Sequence, residues 1–128
     1  MKKLYLVILL SVLVLYSCSD KAVNNTQLHA VHGIIRGNVY DSATKHPVFN
    51  AKVVALGFSD SKYQSFDSCM TDSNGFYIVQ VTSLLYIKNN TGHAGLEIYK
   101  DGYKIWTGNP IYFQDQDIIE VIPFLDKQ

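Results

Sequence analysis

The stretch Thr71-Asp72-Ser73-Asn74-Gly75-Phe76-Tyr77-Ile78-Val79-Gln80-Val81 decides the fold. Its first half is a tight turn. Asp and Asn side chains hydrogen-bond their own backbone, and Gly75 takes a positive φ with no Cβ to clash. Its second half alternates. At period two Tyr77, Val79 and Val81 share one face of a strand, and Phe76 and Ile78 share the other. The first set predicts a core face. The second is more apolar than a solvated strand face requires.

The same grammar runs outward from this stretch. Strands are predicted over residues 33–41, 51–58, 63–70, 76–81, 94–99, 103–107, 110–114 and 118–125, with turn residues between them. Ile35 and Val39 share a face of the first, and Val53 and Ala55 a face of the second. In the last, Ile119, Val121 and Pro123 oppose Ile118, Glu120, Ile122 and Phe124. Residues 82–93 are less regular, although Leu84-Leu85-Tyr86-Ile87 is apolar. Beyond the first seventeen residues no ten-residue segment carries a helical stripe. The expected fold class is all-β: an antiparallel β-sandwich of about seven strands, two sheets face to face.

The N-terminal segment follows different rules. Residues 1–17 hold 13 apolar side chains behind Lys2 and Lys3, the charged start and apolar run of a secretory signal. The run 4–16 would rise about 20 Å as a helix, against a hydrocarbon core of roughly 30 Å, so it reads as a signal rather than a span. Residues 19–32 are polar, with Asn24-Asn25-Thr26-Gln27 at their centre and no period, and read as a flexible tether. The predicted organisation is a signal peptide over 1–17, a linker over 18–32 and one β domain over 33–125. Without residues 1–17 the chain has nine Lys/Arg against eleven Asp/Glu, a net charge of −2. That balance excludes a nucleic-acid role, which calls for a basic excess. Two cysteines exclude a disulfide-dense scaffold and a four-cysteine zinc site.

Two resemblances add to this reading. Leu15-Tyr16-Ser17-Cys18 resembles a bacterial lipobox, with Ser17 as the small residue before the cleavage point. The resemblance implies that Cys18 becomes the first residue and carries lipid. The membrane would then be a partner through Cys18, and the location the bacterial cell envelope, as an outer-membrane lipoprotein. Further along, Ile35-Arg36-Gly37-Asn38-Val39-Tyr40-Asp41 with Pro47 and Ala51-Lys52-Val53, then Thr71 to Tyr77, then Lys100-Asp101-Gly102-Tyr103, together resemble the carboxypeptidase regulatory-like domain. That resemblance spans residues 34 to 124 and implies a transthyretin-like (prealbumin-like) sandwich. The regulatory-like domain takes its name from an appendage of peptidases rather than from their catalytic unit, so the resemblance implies no peptidase activity.

Chemistry-bearing motifs are scarce. H-E-x-x-H and G-x-S-x-G are absent. His29, His32, His46 and His93 read as solvated surface residues. Asp41, Asp60, Asp72 and Asp101 fall in turns, where a carboxylate caps its own backbone. Asp72-Ser73-Asn74-Gly75 lacks the distal bidentate Glu of a calcium loop. Cys69 reads as a buried, inert thiol. The expectation is a non-enzyme without cofactor or metal, working through a protein partner. A glycan or small-molecule ligand, in service of an outer-membrane transporter, is the alternative. The late aromatic cluster nominates Trp106, Tyr112 and Tyr103 as contact residues, since aromatic rings with polar tips suit such surfaces.

Overall fold

The computed structural model describes residues 28–59, 62–86 and 91–128. The signal segment, Cys18 and residues 19–27 lie outside them. All regular structure in the described residues is strand: β1 (Leu28–Asn38), β2 (Tyr40–Asp41), β3 (Lys52–Ser59), β4 (Lys62–Met70), β5 (Phe76–Tyr86), β6 (Gly92–Tyr99), β7 (Trp106–Phe113), β8 (Asp117–Glu120) and β9 (Phe124–Leu125). One sheet has the order β5-β1-β8 and the other β4-β3-β6-β7. They face each other as a transthyretin-like β-sandwich.

Most neighbours are antiparallel, but β8 joins β1 in parallel and β9 joins β2 in parallel. These two pairings are one ladder. Gly33 faces Asp117 and Tyr40 faces Phe124, so residue n meets residue n + 84 in both. The ladder is interrupted where Pro123 has no N–H to give. The carbonyl of Pro123 still accepts from Tyr40 N at 3.0 Å, which holds the register across the break. Gly37 makes the approach possible: a Cβ there would lie 1.9 Å from the Val121 carbonyl oxygen.

Three expectations are corrected. Residues 28–32, read as tether, are the first part of β1 and pair with residues 82–86 of β5. Neither segment alternates clearly in sequence. Each becomes a strand because the other satisfies its backbone groups, and Val31 and Leu85 are buried by the pairing. Residues 103–107 and 110–114 are not two strands: β7 is continuous, with a register shift opposite Ala94/Leu96. The last strand is two short ones, split near Pro123.

The core lies where the alternation placed it. Ile35, Val39, Val53, Ala55, Tyr77, Val79 and Val81 are buried, joined by Leu96, Ile98 and Phe113. Complete burial of one such aliphatic side chain stabilises by about 1.5–3 kcal/mol before entropy is counted. Tyr77 brings its hydroxyl into this layer and donates it to the Val121 carbonyl at 2.7 Å.

One end of the sandwich is closed by side chains acting on backbone. Thr71 is buried; its hydroxyl accepts from Ala51 N at 2.8 Å and donates to the Val48 carbonyl at 2.7 Å. The Asp72 carboxylate accepts from Asn74 N and Phe76 N, both at 2.9 Å. Gly75 sits at φ +73°, with Val39 packed against it.

Candidate functional site

The three nominated aromatics do not form one surface. Tyr103 is a structural bridge. Its hydroxyl donates to the buried Asp41 carboxylate at 2.8 Å, beside the N–H groups of Ala43 (2.9 Å) and Thr44 (2.8 Å). Those donors hold the Asp41 carboxyl well below the usual carboxylate range. The Thr44 N–H contributes most, then Tyr103, against the opposing effect of burial. The same hydrogen bond pushes the Tyr103 phenol up. Lys127 adds an ion pair to Asp41 at 3.7 Å. Trp106 faces inward opposite Ile98 and packs on the core, its ring lying over Gly108. Only Tyr112 stands free, 65% exposed.

Tyr112 belongs instead to a row that crosses the outward face of the four-stranded sheet. Tyr63 of β4 faces Phe58 of β3. His93 of β6 faces Tyr112 of β7. The β3–β6 register brings Phe58 beside His93, with ring centroids 3.8 Å apart. Tyr63 meets both rings edge-on, at 5.3 Å from Phe58 and 5.7 Å from His93, and Tyr112 lies 6.3 Å from His93. Four rings from four strands thus form one ladder. His93 is therefore not the solvated loop residue expected from sequence: it is half-buried in the middle of the row.

Hydrogen bonding orients this histidine. The Tyr63 hydroxyl lies 3.1 Å from His93 Nδ1. Burial, with Tyr112 as the lesser cause, pushes the Tyr63 phenol above its ordinary value. The hydroxyl donates to Nδ1 of one imidazole tautomer or accepts from Nδ1–H of the other. The row thus offers ring edges and one imidazole. Phe58 also borders an apolar groove of about 230 Å³, lined by Gln64, Ser65, Phe66 and Leu84 among others. Phe58, Tyr63 and His93 escaped the sequence reading because nothing short of the strand register places them together.

The outward face of the other sheet is different again. Phe76, Ile78, Ile118, Ile122 and Phe124 are 39%, 50%, 57%, 50% and 44% exposed. Arg36 and Glu120 lie among them as direct neighbours across β1 and β8. Among the described residues no three His, Cys, Asp or Glu side chains come together as a metal cluster. Cys69 is a free, half-buried thiol raised by burial, which suits a packing role.

Solved structures place the fold but no more. The chain is similar to a chlorocatechol 1,2-dioxygenase from Pseudomonas putida at 14% identity and TM-score 0.51, over 77% of this chain and 61% of that one. It is similar to a 3-chlorocatechol 1,2-dioxygenase from Rhodococcus opacus 1CP at 14% identity and TM-score 0.52, over 80% and 62%. The Bacillus anthracis TIE protein is similar at 17% identity and TM-score 0.53, over 76% of this chain and 18% of that one. The chain therefore spans less than two thirds of each of these proteins. At such identities the likeness is one of β-sandwich architecture. No family model and no curated protein matches the sequence. The class defined by fold and surfaces is a transthyretin-like β-sandwich with one aromatic and one aliphatic outer face.

Proposed function

We propose that this chain is a non-catalytic cell-envelope lipoprotein, anchored through lipid on Cys18, whose sandwich is a carboxypeptidase regulatory-like module acting by contact with protein partners. The observation that carries the reading is the aliphatic outward face of the β5-β1-β8 sheet. Solvated sandwich faces alternate polar outward, whereas Ile78, Ile118 and Ile122 stand exposed here together. The test is mild crosslinking in intact cells, then detergent pull-down. A discrete partner is expected for the native chain and none for Ile78→Lys. Identical crosslinks in both chains would overturn the reading. Cys18→Ser should abolish fatty-acid labelling and release the chain from the membrane fraction; continued labelling would remove the anchor.

A second reading, a glycan or small-molecule binder assisting an outer-membrane transporter, is favoured by the Tyr63–Phe58–His93–Tyr112 row. Exposed rings and an imidazole edge suit a ligand that has both an apolar face and hydroxyl groups. Binding on a glycan array that is lost in both Tyr112→Ala and His93→Ala would support it. Binding unchanged by these substitutions would remove it.

A further inference from the structure

We infer that the partner seated on the aliphatic face is a second copy of this chain, docked face to face through the β5-β1-β8 sheet. The inference rests on the protein-contact reading above and names the partner. The face is laid out in rows by the register of β1 with β5 and with β8: Gln80, Ile34 and Ile118 in one, then Ile78, Arg36 and Glu120. Phe76 extends it on the β5 side, and Ile122 and Phe124 beyond β8. Inward positions alternate with these and are buried or, at Ile119 and Val121, half-buried against the core, so every side chain named points out of the sandwich.

Charge decides between occupants. Arg36 is the only arginine in the chain, and it sits in the centre of an apolar patch. Glu120 is beside it, yet among the described residues the ion pair formed is that of Lys127 with Asp41, and Arg36 and Glu120 make none. Lys45 stands at the edge of the patch, over the Phe124 ring, and at its centre the cation Arg36 and the anion Glu120 lie side by side, a pair complementary to itself after a two-fold rotation. Arg36 of each copy then lies over Glu120 of the other, as an isologous interface requires. A partner of one dominant charge would leave one of the two unmatched in an apolar contact, which is costly. With the rows of Phe76 and Ile122 and of Phe124 added, four rows on three strands, at about 6.8 Å per row and 4.8 Å per strand, give a projected area of roughly 400 Å² per copy. That is below the roughly 800 Å² per partner of a standard stable complex, so the contact is a weak, transient one rather than an obligate interface. Two chains tethered to one membrane would associate at high effective concentration.

The test is sedimentation equilibrium of the full chain in a density-matched nonionic detergent. The native chain should show a monomer–dimer equilibrium that weakens with added salt. Arg36→Glu and Glu120→Arg alone should each weaken association by about tenfold or more, and the double exchange should restore it to within about threefold. Ile118→Lys serves as the disrupting variant should either reversal fail to fold by circular dichroism. A native chain that stays monomeric to the solubility limit overturns the inference, as does a dimer indifferent to all these variants. The wider reading fails separately. If the chain is monomeric but Ile78→Lys still removes a crosslink to another envelope protein, contact function stands without self-association. If that crosslink is also indifferent, both fall.

Discussion

The two ends of the sandwich are built on opposite terms. At the end holding Asp41, Thr71, Asp72 and Gly75, polar side chains are spent on the chain's own backbone, and Tyr103 and Lys127 reinforce them. At the end holding Phe58, Tyr63, His93 and Tyr112, rings stand outward and one histidine nitrogen is aimed by a tyrosine while the other faces away from it. The lesson is that local motifs mark where the fold is fastened, and those residues are unavailable for contact. Surfaces free to bind carry no motif.

Substitutions break or sharpen this contrast, beginning with the largest effect. Gly37→Ala should destabilise by about 3 kcal/mol or more in chemical denaturation, because its Cβ would strike the Val121 carbonyl and unseat β8. Asp41→Asn should lower the melting temperature by roughly 10 °C at neutral pH, since an amide cannot accept from all three donors. The folded Asp41 carboxyl lies below its unfolded value. Its contribution is therefore complete above about pH 4 and is lost as pH falls through the lower folded value. The gap between native and Asp41→Asn melting curves should hold constant above about pH 5 and close as the pH drops. Trp106→Ala should cost about 2 kcal/mol through lost packing and leave ligand contact unchanged. Tyr112→Ala should stay within about 0.5 kcal/mol of native stability while altering any ligand binding. If Tyr112 proves as costly as Trp106, the two ends are not different in kind.

Much of the fastened end was legible in the sequence, for a physical reason. A positive-φ turn needs glycine, a capped turn needs Asp or Thr, and a core strand needs alternation, and all three requirements are local. The 82–86 stretch was opaque because its strand character comes from β1, some fifty residues away in sequence. The nominated aromatic trio failed for a related reason. Trp106 and Tyr112 are six residues apart and would share a face in a regular strand. The shift between Ala94/Leu96 places one extra residue in β7, which turns Trp106 inward while Tyr112 points out. A bulge of one residue, with no signature beyond Gly108-Asn109-Pro110, separates a core residue from a contact residue.

The constant register between the first strand and the last has a mechanical meaning. Because β1 and β8, and then β2 and β9, run parallel in one ladder, a load drawn between Leu28 and Leu125 acts along the strands and strains the ladder's hydrogen bonds together. An antiparallel pair pulled from neighbouring ends would instead open one bond at a time. Between its first and last strands the sandwich is thus connected in shear rather than in peeling.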